Sequence, residues 1–579
     1  MKPSNRFEVV EHEADLSVVG GGMAGLCAAV AAARNGTRVA LMQDRPVLGG
    51  NASSEVRMNI GGAHGPDNKE AGILEEIMLD NYRRNPRLNY PIWDTVLYEK
   101  ARFQPGLTLL LNCTCNEVVA HGDRIERVRG WQLTTQTWHV VKARFFADCS
   151  GDSVLRVSGA EHRWGRESRH EFGESHAPEA ADRKTMGNSI LIQLREIPEE
   201  AHRPFIPPSW ANRYDESSLP KRPLRPEGHN FWWLEVGGTG DTIADTEANR
   251  DELLKIAFGV WAYIKNHSDG RGRRWELEWI GALPGKRENV RYVGDHILTQ
   301  SDVEAGGPFD DIVAYGGWSM DDHNPAGIHY LGEPTILHPA PSPYGIPYRS
   351  LYSRNIANLF FAGRNISATH MALSSTRVMG TCSLLGQAVG TAAAIAARHG
   401  CAPREVYRRH LRELQETLMD DDSWLPGRLR PIPEVCRGAR LVASAGDPEP
   451  LRNGIDRSLG KDDNGWWAPP GESVTYLFDS TVKLSRVRLV FDSDLHDTKR
   501  MPCSYPLAGY EAKIPAMMTR AFDLEVLDGS GRWRLAFREE NNHQRLVKVP
   551  LEAETAGLWL IPRASWGGAK VHVFAFDAR

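Results

Sequence analysis

The 579-residue sequence predicts an α/β protein that ends in an antiparallel β-sandwich, and three observations predict it. The run ADLSVVG passes through a glycine turn into AGLCAAVAAARNG and then TRVALMQ, the pattern of a strand, a helix and a second parallel strand. A segment in the same style, NLFFAGR, returns at residues 358–364. After about residue 425 the pattern changes to alternating stretches separated by turn signals: SVTYLFDS, KLSRVRLVFDS, AFDLEVLD, RWRLAFRE and KVHVFAFDAR.

In chain order, Gly20, Gly22 and Gly25 make a G-x-G-x-x-G turn between strand and helix. Missing side chains there let the backbone approach a pyrophosphate, and the helix N-terminus offers unpaired N–H donors to that anion. Gly36 ends the helix. A partner for a ribose is expected where the second strand ends, and Gln43 and Asp44 both qualify as acceptors. LTLLLNCTCNEVVA, RIERVRGWQL and VVKARFFADCSGDS read as further strands; on the first of these Cys113 and Cys115 share a face, which fits core packing. Between about 160 and 350 the pattern loosens into Pro- and Trp-rich stretches, an inserted α+β domain facing a substrate. PREVYRRHLRELQETLMDDD carries leucines and a tyrosine at helical spacing and reads as a connecting helix.

Composition narrows the function. Hydrophobic residues are 41% and charged residues 25%, the formal charge is −5, and no long Lys/Arg block occurs. The chain is therefore expected to be globular, with neither nucleic acid nor an anionic membrane as its partner. MKPSNRFEVVEHEAD holds no apolar run before a cleavage site, so a cytoplasmic location is expected. The apolar stretch Leu384 to Ala397 is interrupted by Gly386, Gln387 and Gly390 and falls short of the about 20 residues a span needs, which makes it a buried helix. Eight cysteines without a CxxC pair or a His ligand spacing indicate neither a metal site nor a disulfide framework.

The segments LGGNASSEVRM, ADCSGDS, LPGKRENVRYVGDHILTQSDV, GGWSMDDH and NLFFAGRNISATHMALSSTRVMGTCSLLGQAVGTAAA, in that order, resemble bacterial FAD-dependent oxidoreductases distantly related to fumarate reductase and succinate dehydrogenase flavoproteins. The resemblance implies a Rossmann-like FAD-binding fold in two parts, residues 1–160 and 351–400, enclosing a substrate domain at 161–350. A helical connector at 401–425 and a sandwich at 426–579, similar to discoidin-like, galactose-binding-like domains, complete the chain. It further implies FAD contacts from Arg45, Gly49, Gly50, Asn51, Ser53 and Gly151, with Gly363 and Arg364 along the ribityl and pyrophosphate. A helix beginning near Gly386, Gln387 and Ala388 is expected to aim its N-terminus at the flavin, where a reduced ring carries negative charge.

Flavin carries the electrons, so the protein must supply orientation and a proton acceptor. His323 follows Asp321 by two positions, and on an extended strand both face one side. His370 lies six residues beyond the AGR element and Arg377 seven further, and the arginine's fork suits carboxylate or hydroxyl oxygens. Arg57, Asn59 and His64 follow the glycine doublet and are placed on the ring side. Arg287 and Glu288 read either as a substrate clamp or as a buried ion pair; Trp232, Trp233 and Trp318 read as cavity wall or as packing. The expected activity is hydride transfer between flavin and a small, polar, sugar-like molecule at a C–H beside a hydroxyl, with His323 or His370 taking the proton. Reduction of an activated alkene is the alternative, and a non-catalytic flavoprotein with a glycan-binding module a second. The sandwich is expected to cover a subunit face in a homo-oligomer, and the electron acceptor is left open.

Overall fold

The computed structural model describes residues 7–227, 229–496, 500–501 and 511–579. Contacts divide the chain into two compact units. The first comprises Met1–Ala63, Leu88–Leu414 and Lys499–Tyr510, the second His64–Arg87, Gln415–Thr498 and Glu511–Arg579. The segment 64–87, expected within the first FAD-binding part, falls in the second unit.

The first unit is built on a sheet whose parallel part runs β3 (Leu107–Leu110), β2 (Val39–Met42), β1 (Val9–Val19), β6 (Thr137–Asp148), with Leu359–Phe361 added to the C-terminal end of β6. Hairpin strands β4 (Cys113–His121) and β5 (Arg124–Gln132) extend it antiparallel from the other half of β6. The stretch read as one strand, LTLLLNCTCNEVVA, is thus two. Asn112 adopts a left-handed φ of 54° and turns the chain between a parallel partner, β2, and an antiparallel one, β5.

Helix α1 (Met23–Arg34) is buried along nearly its whole length and packs against the helix Met379–His399. Small residues make that possible: a Cβ on Gly386 would lie 2.0 Å from the Ala24 carbonyl oxygen and one on Gly390 2.1 Å from that of Ala28. The longer helix is apolar and long enough to cross a membrane, but 94% of its apolar window is buried inside the fold. Residues from 190 to 280 gather a separate apolar cluster in which Ile192, Leu194, Phe231 and Trp233 pack with Ile256, Val260 and Trp261 of the helix Thr246–Lys265.

The second unit is an antiparallel β-structure in which two long strands, Val474–Phe491 and Leu546–Ser565, pair along their length. SVTYLFDS and KLSRVRLVFDS are therefore one strand, with register shifts near Leu477/Val482 and Leu484/Arg486. Tyr476, Leu489, Phe522, Leu560 and Phe576 fill its core.

Candidate active site

The parallel strands place their carboxyl ends side by side, and the residues immediately after each end line one cavity of about 620 Å³. These are Gly20 and Gly22 after β1, Gln43 to Arg45 after β2, Cys149 to Asp152 after β6, and Gly363 and Arg364 after Leu359–Phe361. Crevices at the carboxyl ends of parallel strands are where such sheets bind ligands, and this volume lies within the about 300–1,000 Å³ of ligand pockets.

At the nucleotide end, Gly20 takes φ +98° and a Cβ there would lie 2.4 Å from Ser150 Cα, so only glycine lets the turn pass the end of β6. Gly25 does not line the cavity; a Cβ on it would meet the Gly20 carbonyl oxygen at 1.8 Å, so its role is to seat the helix against the turn. Helix α1 opens at Gly22 with no side-chain cap, leaving its first N–H groups to the cavity. Hydrogen bonds give Gln43 and Asp44 different surroundings. Gln43 Oε1 accepts from the Gly21 N–H at 2.7 Å and its Nε2 donates to the Val47 carbonyl at 3.1 Å, so both amide ends hold the turn. Asp44 lines the cavity with a half-exposed carboxylate.

A half-buried carboxylate organises the middle of the site. Asp152 accepts from Arg364 Nη2, Lys286 Nζ and Asn289 Nδ2, each at 2.6 Å. Burial raises its pKa, but Arg364 and Lys286 outweigh that and hold the carboxyl below the usual range. Asn51 donates to the Lys286 carbonyl at 3.1 Å and also lines the cavity. Lys286 and Asp152 were not singled out from the sequence; the basic pair in PGKR was the available signal.

A third cluster surrounds His323. Asp321 and His323 lie on the strand Met320–His323 and face the cavity together, as the i, i+2 spacing requires. His323 Nδ1 is 2.6 Å from Glu235 Oε2 and its Nε2 is 3.2 Å from Asp321 Oδ2, with the Trp232 ring edge-on at 5.2 Å. Glu235 also accepts from the Gly187 N–H at 2.6 Å and pairs with Arg287 at 3.3 Å. Asp321 pairs with Arg377 at 3.0 Å and accepts from Thr335 Oγ1 at 2.6 Å. Burial would raise both carboxyls, yet Arg287 and His323 hold Glu235 low, and His323 and Arg377 hold Asp321 well below the ordinary range. Trp318 and Trp232 line the cavity, while Trp233 belongs to the core.

The Met379–His399 helix begins beside this cluster, and its uncapped N-terminal residues Val378 and Met379 line the cavity. The expectation of a helix start near Gly386 is corrected: Gly386, Gln387 and Ala388 lie mid-helix, and Gly386 is spent on contact with α1. His370 does not line the cavity. It is buried on the opposite face of the Met320–His323 strand, its Nδ1 2.8 Å from Glu288 and its Nε2 3.1 Å from Asp322. Glu288 accordingly goes to His370, while Arg287 goes to Glu235, the partner of His323. Arg57 is also off the cavity: it donates to Gln193 Oε1 at 2.9 Å and lies over the Tyr90 and Trp279 rings at 5.1 and 4.3 Å. Ser53 closes its own turn on the Gly50 carbonyl at 2.7 Å, and His64 is an exposed residue of the second unit. Arg45, Gly49, Gly50, Asn59, Gly151 and Arg364 line the cavity.

The residues present fit a dinucleotide flavin. The uncapped helix with its glycine turn is of a kind that could hold a pyrophosphate, Asp44 could accept from a ribose, and the Nε groups of Arg364 and Arg377 are buried without a hydrogen-bond partner among the described residues. Fold and site together define a dinucleotide-binding flavoprotein. A model of the family described as FAD dependent oxidoreductase matches residues 15–418, and the chain belongs to that family: it is an FAD-dependent oxidoreductase, with FAD as its cofactor.

No curated protein matches the sequence. Among solved structures, the family 32 carbohydrate-binding module of Streptococcus pneumoniae EndoD is similar at 16% identity, covering 25% of this chain and 97% of its own, with a TM-score of 0.20. The family 32 module of C. perfringens NanJ, solved in complex with galactose, is similar at 6% identity, covering 25% and 95%, with a TM-score of 0.19. Chitosan-binding module 1 of a Paenibacillus sp. IK-5 chitosanase/glucanase is similar at 10% identity, covering 24% and 95%, with a TM-score of 0.18.

Proposed function

We propose that the enzyme oxidises an uncharged, polyhydroxylated small molecule at a C–H beside a hydroxyl, with His323 as the proton acceptor. The observation that carries this reading is charge balance. Each arginine beside His323 already has a carboxylate: Arg287 has Glu235 and Arg377 has Asp321. A substrate carboxylate entering this cluster would compete with two internal anions, one buried and one half-buried, which disfavours an unsaturated acid. Hydroxyl groups, by contrast, both donate to Asp321 and accept from arginine N–H groups.

The glycine turn with the start of α1, Asp44, Lys286 and Arg364 would hold the FAD, which when bound supplies two-electron hydride chemistry. Glu235 fixes the orientation of the His323 ring through Nδ1, and Nε2, once the substrate hydroxyl takes the place of Asp321 against it, is the atom that takes the hydroxyl proton. Asp321, held ionised by Arg377, accepts a hydrogen bond from the substrate or from protonated Nε2. Trp232 and Trp318 supply the apolar wall that excludes water and offer flat faces to a sugar-like ring.

Stopped-flow absorbance decides the direction. Polyols and sugars mixed anaerobically with oxidised enzyme are expected to bleach the flavin, and His323→Ala to slow bleaching about 100-fold or more with flavin content unchanged. Bleaching absent with every polyol, together with reoxidation of reduced enzyme by unsaturated acids, would overturn this reading in favour of alkene reduction.

A further inference from the structure

At the end of the Met379–His399 helix, away from its cavity-facing start, three side chains converge on the helix Pro403–Asp420. His399 Nε2 lies 2.8 Å from Glu413 Oε2, and His410 Nδ1 lies 3.4 Å from the same oxygen. The two imidazoles stack with centroids 3.9 Å apart and planes 18° from parallel. One potential ligand atom from each of the three residues lies within 4.8 Å of the others.

We propose that His399, His410 and Glu413 form a binding site for a borderline divalent transition-metal cation such as Zn²⁺. The chemistry of the donor set points there. Two nitrogens and one carboxylate oxygen are the ligands that zinc, cobalt and nickel take, whereas magnesium and calcium take oxygen. The spacing agrees: with metal–ligand bonds of about 2.0–2.1 Å, neighbouring donors on a tetrahedron stand roughly 3.3 Å apart, and the two contacts to Glu413 bracket that value. The remaining position stays open to water.

The surroundings support a cation. Arg398 Nη1 donates to Glu413 Oε1 at 2.8 Å, which occupies one carboxylate oxygen and orients the other toward the histidines. His399 is the last residue of its helix, where the carbonyl groups carry the negative end of the dipole. His410 and Glu413 stand three apart on one helix, so they share a face by geometry alone. The three residues carry no joint signal in the sequence, because His399 reaches the other two from a different helix.

The test uses the FAD-loaded enzyme without any histidine tag. Titration with Co²⁺ is expected to develop the visible absorption of a low-symmetry nitrogen–oxygen site saturating at one ion per chain, displaced by Zn²⁺ and not by Mg²⁺. His399→Ala, His410→Ala and Glu413→Gln lie on partly exposed surface, and each is expected to weaken binding at least tenfold while flavin content stays at the wild-type level. Zinc should raise the melting temperature of the wild type and leave the three variants unmoved. Equal binding by wild type and variants, displacement by Mg²⁺, or no saturable ion would each overturn the proposal.

Discussion

At the scale of single residues, two histidines stand in matching cages on opposite faces of one short strand. His323 sits between Glu235 and Asp321 at the cavity, and His370 between Glu288 and Asp322 away from it. The Asp321/His323 pairing was legible because alternation along a strand is local. Glu235 was not, since it lies 88 residues from His323 on a two-residue strand that carries no periodic signal. His370 was misplaced for a similar reason: closeness in sequence to the AGR element says nothing about which side of Met320–His323 the ring occupies. Its environment makes a measurable difference. Burial alone would lower its pKa, but Glu288 and Asp322 raise it from 6.5 to about 10. The folded state therefore holds that proton more tightly than the unfolded chain. The stabilisation is complete below pH 6.5 and is lost as pH climbs through about 10, at up to about 1.4 kcal/mol per pH unit for this one group. Urea unfolding followed between pH 6.5 and 10 should show that slope in the wild type, and His370→Gln should flatten it. Parallel stability–pH curves for the two proteins would contradict the assignment.

At the scale of elements, the contact between α1 and the Met379–His399 helix sets the cavity, because both helices begin at it. Small residues in GQAVGTAAA announced close packing in the sequence, but the helix start was misjudged by about two turns. The reason is the break at Val378, where a single extended residue with ψ 144° separates His370–Thr376 from the longer helix without proline or glycine to mark it. The split of β3 from β4 at Asn112 was hidden in the same way, inside an apolar run. Gly386→Val places atoms where the Ala24 carbonyl oxygen already lies. The helices must separate, at a cost of about 1–3 kcal/mol or more, and the glycine turn moves with α1. The urea midpoint should fall and the flavin per chain, read from visible absorbance, should drop below half of wild type. A variant that unfolds at the wild-type midpoint with full flavin would show that this contact does not position the site.

At the scale of the whole molecule, the segment 64–87 belongs by its contacts to the same unit as the sandwich strands. Leu79 and Tyr82 of the helix Ile73–Arg84 join the sandwich core, and Arg83 lies over the Trp566 ring at 5.1 Å. Asp80 accepts from Gln544 Nε2 at 2.8 Å and contacts His543 at 2.9 Å, while Arg457 donates to the Asp67 and Lys69 carbonyls at 3.0 and 2.7 Å. Both layers were readable as separate styles of sequence. The membership of 64–87 was not, because an amphipathic helix such as ILEEIMLDNYRR looks the same whichever core receives its apolar face. The family match, residues 15–418, therefore includes a segment, 64–87, whose contacts lie with residues beyond 418. A chain ending at residue 418 exposes Leu79 and Tyr82, removes Gln544 and His543 from Asp80, and removes Arg457 from the Asp67 and Lys69 carbonyls. It should accumulate as aggregate, or as a species of raised hydrodynamic radius holding less than one FAD per chain. Size-exclusion chromatography with flavin absorbance reads both quantities, and a compact monomer with full flavin and the wild-type melting temperature would refute the dependence. Leu79→Asp in the full-length chain tests the same contact without truncation: a charge in that core lowers the melting temperature if the helix is docked as described, and leaves it unchanged if it is not.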